Sequence, residues 1–172
     1  MYPAGSVHDV TGICCGRTAP ELGTRNEITH SGSTALLYSG AATNASGANY
    51  AYLVGFDLSG LHLVVGMSTT LSYWIYPQSA YSSGNNSTCV AVDLIFSDGT
   101  NLRDSKAVDQ SGHSIHPASQ CNRLTLNTWN KVTVNLGTSV NGKMILRLDI
   151  GYDQPSHIGG YHGYLDDLSI AS

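Results

Sequence analysis

The last part of the 172-residue chain carries two adjacent carboxylates, Asp166 and Asp167, inside a run that alternates like a β-strand. Period-two alternation from Tyr164 to Ile170 places Asp166 on the same face as Leu168, which predicts that its carboxylate points inward. A buried carboxylate is costly unless a cation or a set of hydrogen-bond donors meets it. The pattern therefore predicts a cation or several donors beside Asp166.

A second group of polar residues, which includes two Asp–Gln pairs, falls mostly in predicted loops. The set is Arg103, Asp104, Asp109, Gln110, Asp153, Gln154, Tyr161 and His162. Such side chains accept and donate hydrogen bonds and, with a ring face for C–H groups, suit a polyhydroxylated ligand such as a sugar. Taken singly, each could instead pin a long loop, with Arg103 paired to Asp109 or Asp153. Loops that meet at one end of a fold commonly carry function, which favours binding for the group.

Acid–base groups that could support catalysis are also present, among them His113, His116 and the carboxylates already named. Two carboxylates at a suitable separation could serve a glycosidase. The sequence nevertheless contains no Gly-x-Ser-x-Gly elbow, no His-Glu-x-x-His pair and no phosphate-binding loop. We therefore expect a protein that is not an enzyme, with a small hydrolase or lyase as the weaker alternative.

Composition narrows the class of partner. The net charge is -4 with only 8 Lys+Arg, which argues against nucleic acid because that partner needs a basic surface. No apolar run reaches membrane-spanning length, so no membrane insertion is expected. Charged residues are only 12% and Tyr is 10, a composition typical of an extracellular β-protein. The length predicts one domain over residues 1–172.

The four cysteines predict a disulfide rather than a metal site. No Cys-x-x-Cys pair occurs, so a zinc–thiolate site is not expected. Cys89 opens a predicted strand and Cys121 follows a long excursion, which makes Cys89–Cys121 the preferred pairing. The adjacent Cys14 and Cys15 could form a vicinal bridge, stay free or split the pairings.

Short alternating runs separated by turn signals fill the chain, and none keeps a helical period. The clearest are Thr69–Pro77, Cys89–Phe96, Lys131–Leu136 and Met144–Ile150. Eight or more short strands predict an all-β antiparallel sandwich or jelly roll.

Two aromatic residues, Trp74 and Tyr76, share the outward phase of their predicted strand, while Asp93 and Asp149 take similar faces of theirs. These residues could form a concave glycan-binding face. With the phase reversed, Trp74 and Tyr76 would instead lie on an inner face.

The order of these motifs resembles galactose-binding-domain-like carbohydrate-binding modules, which are β-sandwich jelly rolls attached to secreted glycoside hydrolases. The resemblance covers roughly residues 10–170 and rests on the entry His30-Ser31-Gly32, an aromatic-rich strand and the terminal Tyr164-Leu165-Asp166-Asp167-Leu168. The middle, including Asp98-Gly99-Thr100 and Gly151-Tyr152-Asp153-Gln154-Pro155, is similar to accessory modules beside glycosidases acting on mannose-type glycans.

This resemblance implies a secreted, non-catalytic protein that binds a glycan or polysaccharide and holds a structural calcium. The implied calcium ligand is Asp166, with Asp167, Glu27 and Asp9 as candidates to complete the site. The partners that this resemblance leaves open are a linked catalytic domain and a second copy of the same chain. The main alternative is a structural or adhesive sandwich that binds no sugar.

Overall fold

The computed structural model describes residues 10–14, 17–44, 49–154 and 157–172, with side chains described from residue 20 onward. Two antiparallel sheets enclose one main core, which confirms the predicted all-β sandwich. The strands are β1 (Val10–Cys14), β2 (Arg17–Arg25), β3 (Ala35–Ala42), β4 (Tyr50–Asp57), β5 (Thr70–Pro77), β6 (Val90–Phe96), β7 (Asn130–Asn135), β8 (Ile145–Asp153) and β9 (Gly159–Ala171). The helices are α1 (Pro117–Gln120), α2 (Gly137–Val140) and two 3-10 turns, Ser59–Leu61 and Asn86–Thr88. Within these described ranges, no helix is long and apolar enough to cross a membrane.

The four-stranded sheet has the order β1-β4-β8-β6, and the five-stranded sheet has the order β2-β3-β9-β5-β7. The long connection from residue 97 to residue 129 leaves the edge strand β6 of one sheet and returns at the edge strand β7 of the other. This connection therefore passes along one side of the sandwich, next to the edges of both sheets.

The core follows the predicted alternation. In β5, Leu71, Tyr73 and Ile75 are buried between the sheets, and the even-numbered apolar residues of β6 meet them from the other side. Asp93 of β6 faces away from this core, as its phase predicts, yet it is only 1% exposed. Another part of the chain therefore covers Asp93 on the outer face of the four-stranded sheet, and this part is the segment that contains Leu102 and Arg103.

A disulfide joins Cys89, just before β6, to Cys121, just after α1, which confirms the preferred pairing. The bond holds part of the long connection against the four-stranded sheet. Here α1 packs so closely that a Cβ on Gly151 would lie 3.0 Å from Cγ of Pro117. Cys15 and the side chain of Cys14 fall outside the described part of the chain.

A β-bulge in β9 overturns the inward placement of Asp166. The register between β5 and β9 shifts beside Trp74, and Asp167 takes a positive φ of 47° there. Leu165 therefore packs in the core, Asp166 pairs with Trp74 on the outer face, and Leu168 returns to the core side. The prediction that Asp166 shares a face with Leu168 is wrong because the extra residue resets the period-two alternation.

Candidate functional site

An open cleft of about 460 Å³ lies on the outer face of the four-stranded sheet, beside the long connection. Its lining residues are Tyr50, Tyr52, Ile95, Gly99, Asn101, Arg103, His116, Arg147 and Asp153. The floor comes from β4 and β8, which pair so that Tyr50 lies opposite Asp153. The connection supplies the wall.

Tyr52 is held between the sheet and a guanidinium group. The guanidinium carbon of Arg103 lies 4.1 Å from the Tyr52 ring centroid, within the range of a cation–π contact. Below the ring, a Cβ on Gly151 would come within 2.4 Å of Tyr52 Cε1, so glycine allows this close approach. Burial raises the pKa of the Tyr52 phenol, and Arg103 partly offsets that rise. The ring of Tyr50, with its centroid 6.0 Å away, is half-buried.

Asp93 fixes Arg103 and the loop that carries it. Oδ1 of Asp93 accepts the N–H groups of Leu94 at 2.9 Å, Leu102 at 3.0 Å and Arg103 at 3.0 Å, while Oδ2 accepts from Nη1 of Arg103. Burial raises the pKa of Asp93, and the Arg103 guanidinium opposes that rise. Charge-assisted bonds of this kind are strong, so the wall of the cleft is fixed before any ligand arrives.

A second Arg–Asp pair lies beside the first. Asp93 sits directly opposite Asp149 of β8, and like charges at such a position repel. Nε of Arg147 lies 3.0 Å and 3.3 Å from the two oxygens of Asp149, which is also buried. Each buried carboxylate thus has its own guanidinium, and the two guanidinium groups line the cleft with their charge compensated.

Asp153 and His116 lie next to each other in the cleft. Nε2 of His116 lies 3.8 Å from Oδ2 of Asp153. Nδ1 of His116 accepts the N–H of Ala118, so the proton of a neutral ring sits on Nε2, toward Asp153. Burial raises the pKa of Asp153, while His116 and Arg103 pull it down.

Of the sequence-predicted ligand residues, the structure brings Arg103 and Asp153 into this cleft. Asp104 lies just beyond it, with its Oδ2 3.7 Å from Nε of Arg103 and its side chain 65% exposed. The close carboxylate partner of Arg103 is Asp93 rather than Asp109 or Asp153. Ligand contact by these predicted residues stays a prediction.

The Asp109–Gln110 pair shapes the long connection. Asp109 accepts two backbone N–H groups of its own turn and the side-chain amide of Gln120 at 3.2 Å. Gln110 extends the edge of β7, because its amide donates to the carbonyl of Lys131 at 2.8 Å and accepts from the N–H of Thr133 at 2.7 Å. Both are placed away from the cleft, and their contact with a ligand stays a prediction.

The remaining predicted residues lie in other places. Nε2 of the buried Gln154 is 3.3 Å from Sγ of Cys89, beneath the disulfide. Tyr161 is stacked on Tyr152 in the core, with ring centroids 3.8 Å apart. His162 is half-buried on the five-stranded sheet, and burial lowers the pKa of its imidazole. Their roles as ligand residues likewise stay predictions.

Reasoning from loop residues missed the floor of the cleft, which is formed by Tyr50, Tyr52 and Arg147. The signal lay in the strand phase: Tyr50, Tyr52 and Asp153 all alternate away from core residues. Only the pairing of β4 with β8 makes them neighbours, and a single sequence does not give that pairing.

The carboxylates of the β9 bulge bind a loop of the protein. Oδ2 of Asp166 accepts the N–H groups of His30 at 2.8 Å and Ser31 at 3.1 Å. Oδ2 of Asp167 lies 2.6 Å from Nδ1 of His30, and its Oδ1 accepts the hydroxyl of Ser31. Donors rather than a shell of oxygen atoms therefore surround the pair. Glu27 is exposed.

Calcium takes oxygen ligands, so the donors around Asp166 do not fit the ion as they stand. Among the residues that the structure describes, no three His, Cys, Asp or Glu side chains gather in a way that could hold a metal. Asp9 lies outside the described residues. The calcium ion and its predicted ligands stay a prediction.

No protein-family model and no curated protein matches this chain. Among solved structures, carbohydrate-binding modules from the beta-sandwich super family, described as having promiscuous specificity, superpose with a TM-score of 0.54 at 14% identity. The superposition covers 92% of this chain and 55% of that one.

Two further solved structures are enzymes. The glycoside hydrolase domain of Endo-D from Streptococcus pneumoniae R6 gives a TM-score of 0.52 at 15% identity, covering 90% of this chain and 21% of that one. The beta-1,2-glucanase from Parabacteroides distasonis gives 0.52 at 15%, covering 87% and 20%. The chain thus spans about half the length of the first structure and about a fifth of each enzyme. At such identities the likeness concerns the fold: the chain has a β-sandwich like that of carbohydrate-binding modules.

Proposed function

We propose that this chain is a non-catalytic carbohydrate-binding module that holds a glycan in the cleft on the four-stranded sheet. The observation that carries the proposal is the composition of that cleft. A half-buried tyrosine ring, Tyr50, shares it with two guanidinium groups and the carboxylate of Asp153. The likeness of the fold to carbohydrate-binding modules supports the proposal.

A sugar presents C–H groups on one face and hydroxyl groups around its rim. The ring of Tyr50 offers a surface for the C–H face. Asp153 accepts hydrogen bonds from hydroxyls, Arg103 and Arg147 donate to them, and Asn101 does both. Hydroxyl contacts mostly replace hydrogen bonds to water, so we expect modest affinity at a single site.

The secreted setting belongs to the same proposal. A disulfide such as Cys89–Cys121 persists mainly in oxidising compartments. A linked catalytic domain fits the observation that the similar sandwich occupies about a fifth of two longer enzymes. The module would then concentrate its enzyme on a glycan.

The structural calcium is proposed from the sequence resemblance alone. Binding of an ion to the folded state alone would raise its stability. We therefore expect EGTA to lower the melting temperature and the variant Asp166→Asn to lose this effect, whereas the control Asp57→Asn keeps it. A wild-type melting curve that does not respond to EGTA or added calcium would refute the ion.

One observation favours catalysis as the second candidate function. Burial raises the pKa of Asp153 inside the cleft, as a general acid requires. The two functions differ in a simple readout, because catalysis would release shorter products from mannan, xylan or β-glucan on prolonged incubation. Release that Asp153→Asn abolishes would replace the binding proposal by an enzymatic one.

The direct test is a glycan array probed with the wild type and with Tyr50→Ala. Loss of the ring surface should weaken binding to the retained glycans by about five- to tenfold. The matched control is Tyr81→Ala, because Tyr81 is 84% exposed and lies outside the cleft. Absence of binding to every glycan, or equal binding by both variants, would refute the proposed site.

A further inference from the structure

A second polar cleft of about 390 Å³ lies beside the first. Its lining residues are Thr100, Asn101, Asp104, Ser105, Ser139, Val140 and Lys143. Like the first cleft, it falls in the size range of small-ligand sites. It is bounded by the loop after β6 on one side and by α2 on the other.

The two clefts share one wall. Asn101 lines both of them, and Arg103 of the first is 3.7 Å from Asp104 of the second, measured from Nε to Oδ2. The loop from residue 100 to residue 105 is therefore a narrow ridge with a cleft on each side. A ligand longer than the first cleft would cross this ridge next.

The second cleft also has hydrogen-bonding groups to offer. Within the described part of the chain, no side-chain donor makes a hydrogen bond to the carboxylate of Asp104, so its oxygens can accept from hydroxyls. Nζ of Lys143 donates to Asp98 at 2.7 Å and to Thr100 at 2.5 Å, which leaves one of its three N–H groups. Ser139, on α2, adds a hydroxyl.

The ridge is held rigidly by the strand beneath it. Asp93 accepts the N–H groups of Leu102 and Arg103, the N–H of Leu102 donates to the carbonyl of Leu94 at 2.8 Å, and the N–H of Phe96 donates to the carbonyl of Thr100 at 2.9 Å. A wall that is already ordered adds no ordering cost when a chain lies across it.

From this geometry we infer that the second cleft is a further sugar subsite and that the ligand is a polysaccharide chain crossing the 100–105 ridge. The inference rests on the proposed function and specifies it. A module for a single terminal sugar would need only the first cleft. Two clefts across one ridge instead suit internal segments of a polymer.

The test uses affinity electrophoresis in gels that contain mannan, xylan, galactan or β-glucan. Fragments of two to six sugar residues, prepared from the polysaccharide that retards the protein, are then titrated by calorimetry. We expect affinity to rise with length and Ser139→Phe, which fills the second cleft, to weaken binding of the hexasaccharide by about three- to tenfold. Binding of the disaccharide should not change.

The matched control is Thr138→Phe, an exposed neighbour on α2 that does not line the cleft. Asp104→Ala should repeat the length-dependent loss without adding bulk. Equal affinity for short and long fragments, or a hexasaccharide unaffected by Ser139→Phe and Asp104→Ala, would overturn the second subsite while leaving the first cleft in place. Failure of all four polysaccharides to retard a protein that binds glycans on the array would overturn this inference alone, and absence of binding in both experiments would overturn the proposed function as well.

Discussion

The outer faces of the two sheets carry similar residues and use them differently. On the four-stranded sheet, Tyr50 and Tyr52 lie with two guanidinium groups and Asp153 in an open cleft. On the five-stranded sheet, here called the closed face, aromatic side chains pack against a loop of the protein, and Asp166 and Asp167 bind that loop. Aromatic residues and carboxylates alone therefore do not reveal a binding site.

The closed face is a small satellite core. Trp74 is stacked on His30 with ring centroids 4.1 Å apart, and Trp129 meets His30 at 5.3 Å. Asp166 and Asp167 hold the loop that contains His30 through its backbone and side chain. One face of the Trp74 ring, which a sugar could otherwise contact, is therefore covered by the protein itself.

The open face differs because its covering group is a single side chain held by a buried carboxylate. Arg103 covers Tyr52 but leaves space next to Tyr50 and Asp153. The buried Arg103–Asp93 pair thus holds the loop that forms one wall of the cleft. On the closed face, the hydrogen bonds of Asp166 and Asp167 instead hold the loop that contains His30 and Ser31.

The largest effect is expected for Asp93→Ala, which removes the anchor of the open face. The change leaves Arg103 without its buried partner and removes the acceptor of the Arg103 N–H, while the N–H of Leu102 keeps only the carbonyl of Leu94. We expect the free energy of unfolding in urea to fall by about 3 kcal/mol. The control Asp104→Ala, at an exposed carboxylate nearby, should change it by no more than about 0.5 kcal/mol. Equal effects would mean that Asp93 does not anchor the wall.

The next effect is expected at Trp74, on the closed face. Truncation by Trp74→Ala removes a half-buried ring that stacks on His30 and should cost about 2 kcal/mol of unfolding free energy in urea. Glycan binding should stay unchanged, because Trp74 lies on the opposite sheet from the cleft. Loss of binding in the folded variant would reverse the assignment of the two faces.

A smaller effect is expected for Gly151→Ala, beneath the open cleft. The new Cβ would collide with the ring of Tyr52, which must then shift against Arg103. We expect a cost of about 1–2 kcal/mol in urea unfolding and weaker glycan binding in calorimetry. Gly55→Ala in β4 is the control, since its nearest neighbour would lie 3.4 Å away. Unchanged binding would show that the position of Tyr52 does not matter to the ligand.

The sequence predicted the architecture well because alternation is a local property. The alternation of β5 and β6 could be inferred from short stretches, and the Cys89–Cys121 pairing from the positions of the two cysteines at either end of the same excursion. The cleft was harder, because Tyr50 and Asp153 become neighbours only through the pairing of β4 with β8. The bulge at Asp167 could not be predicted for a related reason. One extra residue reverses the inward and outward alternation of β9, and the neighbouring residue types do not indicate it.

The smallest effect is expected at Asp167, which holds the loop that contains His30 and Ser31 on the closed face. Hydrogen bonds from Ser31 and His30 hold the pKa of Asp167 below its usual value. A carboxyl whose folded-state pKa is lowered contributes its stabilisation fully above the pKa in the unfolded chain, about 3.9, and loses it as the pH falls through the folded-state pKa. At neutral pH, Asp167→Asn should therefore lower the melting temperature by about 1–2 °C, because the side chain is exposed enough to be screened by solvent.

The difference between the wild type and Asp167→Asn should shrink as the pH is lowered from about 5 to about 2, since protonation removes the same charge that the substitution removes. Differential scanning calorimetry of both proteins across this range measures that difference. Glycan binding by Asp167→Asn should match the wild type, because only the closed face is loosened. A difference in melting temperature that persists unchanged at the lowest pH would show that the amide disturbs the loop geometry. The charge of Asp167 would then not be what holds the loop that contains His30 and Ser31.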